Sequence, residues 1–127
     1  MTTWSQDDLG RLGGAGEVEV SSVRRDGSLS RPRTVWIVGV GDQLYLRSVS
    51  GPDAAWYRLT RTFHQGRIEA SGVARDVTWV DVDAAEQPDV GPAVDAEYGR
   101  KYPGSTSAVA RITSPLARTT TMRVEPR

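Results

Sequence analysis

A chain of 127 residues has room for one domain around one core, and its 38% apolar content fills such a core without surplus. Its sixteen basic and sixteen acidic side chains cancel, which leaves no long-range field to gather nucleic acid or an anionic membrane. With no cysteine and a single histidine, a disulfide framework, a thiolate metal site and a histidine-built metal centre are all excluded.

The first residues lack a basic region followed by an apolar run, and no stretch approaches the length of a membrane span. A soluble cytoplasmic protein is therefore expected, one domain over residues 1–127, with an N-terminal helix and glycine-rich link in 1–16. Thr3 to Leu12 reads as the helix. Ser5 can cap it with Asp8 as capping-box partner, Trp4 can staple onto Leu9, and Gly13 suits a left-handed stop. Gly13, Gly14 and Gly16 follow a helix, whereas a dinucleotide-binding loop needs strand, glycines, helix in that order.

Glu17 to Arg25 begins with alternating Val18 and Val20 and predicts a strand with one wet face. Asp26-Gly27 is a turn signal. Arg33 to Val40 is apolar on both faces, Val35 and Ile37 on one and Trp36 and Val38 on the other, so it is expected to be a central strand. Gly41-Asp42 turns the chain, and Gln43 to Val49 returns with Leu44 and Leu46 opposite Tyr45, Arg47 and Val49. An arginine among buried neighbours requires an anion or a carboxylate. Ser50 to Asp53 breaks the pattern, and Pro52 or Asp53 starts a helix to about Thr62, with Ala55, Leu59 and Phe63 sharing a face. Gly66–Ser71 and Val73–Val82 read as a hairpin around Gly72, and Asp83 to Asp89 as a solvated loop. From Pro92 to Tyr102, the stripe Val94, Tyr98, Tyr102 predicts a helix. Ser105 and Ser114-Pro115 open two short helical turns, and Thr119 to Glu125 is a final strand.

The sum is mainly β with inserted helices: about six strands in antiparallel hairpins. Edges so numerous need closure or a partner, so a six-stranded Greek-key barrel with a helix at its mouth is expected, with a homodimer plausible. No nucleophile elbow, P-loop or zinc-protease motif occurs. His64 stands alone and reads as a loop histidine. Asp81, Asp83 and Glu86 read as a solvated strand end, since paired-carboxylate chemistry needs a buried member. The richest constellation runs from Arg31 to Tyr57. Arg33 with Thr34, Arg47 with Ser48, the small Ser50 and Gly51, and Trp56 with Tyr57 at a helix start offer guanidinium forks, hydroxyls and a flat aromatic wall. That set suits a planar ligand bearing phosphate. It equally suits a packed core in which Arg33 and Arg47 pair with Asp53 or Asp42.

Pro32-Arg33-Thr34-Val35, Gly41-Asp42, Arg47-Ser48-Val49-Ser50-Gly51 and Ala55-Trp56-Tyr57 together resemble the FMN/deazaflavin-binding split-barrel superfamily, in its deazaflavin-dependent nitroreductase branch. With Trp4-Ser5, Ser50-Gly51-Pro52 and Gly66-Arg67-Ile68, the whole chain is similar to a family of small uncharacterised proteins within that superfamily. The resemblance implies a homodimeric six-stranded split barrel. It also implies an FMN or deazaflavin cofactor in the cleft and hydride transfer to a small organic acceptor. Arg33 and Ser48 would face its phosphate, and Trp56 and Tyr57 would lie near the ring. The sequence departs from the pattern in Val49, where a basic residue is usual, and in the missing Asn-Pro between Thr60 and Gln65. Two rival readings on the same barrel are a non-catalytic ligand carrier and a dimeric interaction domain with a filled cleft.

Overall fold

A computed structural model describes residues 3–127. The chain runs α1 (Gln6–Gly13), β1 (Val18–Ser22), β2 (Arg33–Val35), β3 (Ile37–Val40), β4 (Gln43–Leu46), α2 (Ala55–Phe63), β5 (Gln65–Ala70), β6 (Val73–Asp81), α3 (Val90–Lys101), α4 (Thr106–Ile112), α5 (Pro115–Arg118) and β7 (Met122–Pro126). The strands form one antiparallel ladder in the order β2-β1-β5-β6-β7-β4-β3. Its two outer strands, β2 and β3, are consecutive in the chain and separated only by Trp36. The covalent chain therefore closes the sheet into a nearly complete barrel, split where Trp36 leaves the ladder.

This corrects the reading of Arg33 to Val40 as one central strand. Its halves pair with opposite ends of the ladder, Val18 facing Val35 on one side and Ile37 facing Leu46 on the other. The apolar residues on both of its faces arise because β3 lies between two cores. The strand count rises from six to seven for the same reason.

Inside the barrel, Val18, Val20, Ile37, Leu44, Leu46, Ile68, Val77, Trp79, Met122 and Val124 form the larger core. On its outer face Val38 and Tyr45 meet Val94, Tyr98 and Ile112 from α3 and α4. Alternation along β4 thus serves both layers: Leu44 and Leu46 point in, Tyr45 points out under the helices. The Val94, Tyr98, Tyr102 stripe sits as expected, with Tyr102 stacked on Trp36 at 3.7 Å and 3° between planes. Ser71-Gly72, both at positive φ, make the tight turn between β5 and β6.

Some local expectations are revised. Ser5 Oγ accepts from Asp8 N at 3.1 Å, but the Asp8 carboxylate goes to Arg75 on β6 rather than back to the helix start. Trp4 reaches past the helix to donate its indole N–H to the Val124 carbonyl at 2.8 Å. Gly13 ends α1 without a left-handed residue, since Gly14 has φ −88°. In α2 the buried face is Tyr57 and Thr60, while Ala55 and Phe63 are exposed. His64 closes α2 in the left-handed conformation, its N–H on the Thr60 carbonyl at 3.0 Å. Among the described residues no helix is long and apolar enough to cross a membrane.

Candidate functional site

The seam of the barrel opens into a crevice of about 240 Å³. On one side stand Glu17, Thr34, Val35 and Trp36; on the other stand Arg47, Val49, Trp56 and, from α4, Ala108, Arg111 and Ile112. The break in the strand is what creates it. Where β2 and β3 part, Trp36 leaves the ladder with one ring face on Tyr102 and its indole beside the opening. Trp56 enters from the first turn of α2, edge-on to Tyr57 with ring centroids 6.3 Å apart.

The structure gathers three of the sequence-designated residues here: Thr34, Arg47 and Trp56. The others lie elsewhere. Arg33 is exposed on β2, on the face opposite Thr34. Ser48 is fully buried, its backbone N–H on Thr120 Oγ1 at 2.8 Å and its own hydroxyl without a partner. Ser50 is exposed in the turn. Gly51 is buried at φ +82°, and a Cβ there would stand 2.7 Å from Leu116. Tyr57 packs inside the barrel core, where burial pushes its hydroxyl pKa up; Arg61, Tyr57's hydrogen-bond partner at 3.3 Å, opposes the shift.

Arg47 is 1% exposed and wholly engaged. Its guanidinium donates to Asp95 Oδ1 at 2.5 Å, Thr121 Oγ1 at 2.8 Å, and the carbonyls of Ile112 and Gly91 at 3.2 Å each. It also lies 5.8 Å from the Tyr98 ring centroid. The carboxylate that the sequence required is Asp95, rather than Asp42 or Asp53. Asp95 carries a second cation, Arg118, on its other oxygen. So Arg47 ties β4 to α3, α4 and the start of β7, and its charge is spent. The guanidinium that lines the crevice without an ion pair among the described residues is Arg111.

Sequence reasoning missed Asp95 and Arg111. Asp95 had a signal: it lies three residues before Tyr98 on a stripe that must face the sheet. Arg111 had none, because only tertiary packing brings α4 to the seam. A wider hollow of about 500 Å³ lies beside Glu17, Glu19 and Glu69. Its acidic rim has the wrong sign for a phosphate, so size does not make it the better candidate. Among the described residues, no three His, Cys, Asp or Glu side chains converge to hold a metal.

No curated protein matches the chain. Several solved structures share its fold. HutZ, the heme storage protein from Vibrio cholerae, superposes with a TM-score of 0.64 at 12% identity, over 89% of this chain and 82% of its own. An F420 reductase does so with 0.55 at 14% identity, over 98% and 96%. The FAD and heme binding protein from Mycobacterium smegmatis gives 0.55 at 18% identity, over 98% and 67%. At such identities the likeness is one of fold, the split barrel. A family model covers residues 8–124, and the chain belongs to that family, DUF2255, described as uncharacterized proteins conserved in bacteria.

Proposed function

We propose that this chain binds a flavin-type cofactor, FMN or a deazaflavin, at the seam and serves hydride transfer to a small organic acceptor, in the manner of deazaflavin-dependent nitroreductases. The observation that carries the reading is the pair of indoles, Trp36 and Trp56, facing one crevice beside Arg111. Support also comes from the fold shared with an F420 reductase and an FAD and heme binding protein. Flat apolar walls suit a fused ring, and a free guanidinium suits a phosphate or carboxylate. A cavity of about 240 Å³ falls below the roughly 300–1,000 Å³ of complete small-molecule sites, so the ring enters and the tail stays outside.

A bound flavin would supply the hydride; the chain's own residues bind and orient it and exclude water. Trp36 is braced from behind by Tyr102, so its ring is set before a ligand arrives. Thr34 and Arg111 offer polar contacts at the opening. Val49, 41% exposed at the rim, and Leu116, 57% exposed beside Gly51, support a second copy as the cover, in a homodimer. One observation favours a second reading, a ligand-binding barrel without redox turnover: the charge of Arg47 is neutralised by Asp95.

Titration of FMN and of F420 against the purified protein, followed by quenching of tryptophan emission, tests the reading. Saturable quenching is expected, weakened about tenfold or more in Trp56→Ala by loss of one stacking wall. No quenching by either cofactor at high micromolar concentration removes the proposal. Binding without turnover of a reductant selects the second reading. Sedimentation equilibrium tests the dimer.

A further inference from the structure

We propose that Lys101 is a carbonyl-capturing amine, whose Nζ adds to a small aldehyde and forms an imine. It is the single lysine among sixteen basic residues. It sits at the end of α3, where its stem is half-buried and Nζ donates to the Ile37 carbonyl on β3 at 2.5 Å. The Tyr102 ring centroid lies 5.2 Å from Nζ.

What makes the amine unusual is the partner it lacks. Glu97 stands one turn back, where an i,i+4 ion pair would normally form. Arg100 has taken it: its guanidinium donates to both Glu97 oxygens, at distances of 3.0, 3.0 and 2.7 Å. No carboxylate lies within ion-pair distance of Nζ among the described residues. From the sheet, β3 brings the main-chain carbonyl of Ile37. The other charged group in the neighbourhood is Glu17, which acts on Tyr102. An ammonium here has one protein acceptor for three N–H bonds, a neighbouring Arg100 charge, and a partly desolvated seat. Burial, then Arg100, lowers its pKa to about 8 against the opposing pull of Glu97. A desolvated lysine beside another cation is the recognised setting for a nucleophilic amine.

In the neutral form one N–H stays on the Ile37 carbonyl and the lone pair is free. The lone pair forms the C–N bond to the aldehyde carbon. Both amine protons pass in turn to the carbonyl oxygen, so that the hydrogen bond to Ile37 is given up, and that oxygen leaves as water to give the neutral imine. No oxidant or reductant is consumed. Arginines, which supply the cation of every ion pair among the described residues, offer no comparable nucleophile at neutral pH.

The experiment uses acetaldehyde with cyanoborohydride at pH 7, which reduces any imine to a stable secondary amine. Labelling of the peptide containing Lys101 is followed by mass spectrometry. The native protein is compared with the same protein unfolded in guanidinium chloride, where Lys101 regains an ordinary lysine pKa of about 10.4. At least about tenfold faster labelling of Lys101 in the native state is expected. Equal or slower native labelling overturns the proposal. Arg100→Ala, which releases Glu97 to pair with Lys101, is expected to slow native labelling severalfold; an unchanged or faster rate overturns it too.

Discussion

At the scale of single residues, Arg47 and Asp95 decide more than any other pair. Arg47 is 1% exposed and makes four hydrogen bonds from one guanidinium, reaching α3, Ile112 of α4, and Thr121 just before β7. Removing the carboxylate leaves a buried cation uncompensated, which costs about 3–5 kcal/mol in comparable pairs. Asp95→Ala is therefore expected to lower stability by that amount, read as a drop in the urea midpoint at constant slope. Arg118, half in solvent on the same carboxylate, should matter far less; Arg118→Ala is expected to cost under about 1 kcal/mol. A cost for Asp95→Ala no greater than that of Arg118→Ala contradicts the assignment. The need for this pair was legible in the sequence, since an arginine on an apolar strand must find an anion. The identity of the partner was not, because Asp95 is 48 residues away and only the docking of α3 brings it in.

At the scale of elements, short-range patterns were legible and long-range closure was not. Hairpin turns at Gly41-Asp42 and at Gly72, the cap at Ser114 and the stripe of α3 all follow from local chemistry and are where they were expected, although the second turn also takes in Ser71, which was expected to end the strand. The break at Trp36 follows from nothing local. A strand apolar on both faces looks the same whether it lies mid-sheet or bridges the two ends of a barrel. The buried face of α2 was misread because the apolar spacing of Ala55, Leu59 and Phe63 competed with Tyr57 and Thr60, and packing against the barrel chose the latter pair. The crevice depends on both of these tertiary choices, which is why seven of its ten lining residues were not designated beforehand. Gly66 illustrates how tight the closure is. A Cβ at that point of β5 would stand 2.1 Å from the Ser21 carbonyl and 2.8 Å from the Trp79 indole. Strand backbone cannot retreat without breaking the Ser22–Gly66 register with β1. Gly66→Ala is expected to destabilise by about 3 kcal/mol, the upper part of the usual overpacking range. A thermal midpoint within 2 °C of the parent would show that β1 and β5 can separate there at little cost.

At the scale of the whole molecule, the clasp between α3 and the barrel seam makes stability depend on pH in a way that surface charge does not. Tyr98, Lys101 and Tyr102 all meet the chain at Trp36 and Ile37: Tyr98 Oη donates to the Trp36 carbonyl at 3.4 Å, Lys101 to that of Ile37, and Tyr102 stacks on the indole. Burial lowers Lys101 to about 8, so between pH 8 and about 10.4 the unfolded chain holds a proton that the folded chain has released. Stability therefore rises with pH across that window. Burial raises Tyr102 to about 12 and pushes Tyr98 and Tyr57 up as well. Above about pH 10 the unfolded tyrosines lose protons that the folded ones keep, so stability falls. The urea midpoint is expected to climb from pH 7.5 to a maximum between pH 9 and 10 and to decline by pH 11.5. Lys101→Met keeps the apolar stem and removes the titrating amine, so its climb should vanish while its alkaline decline remains. If the variant still climbs, another group governs the window, and the clasp is held by stacking and packing rather than by the state of one amine.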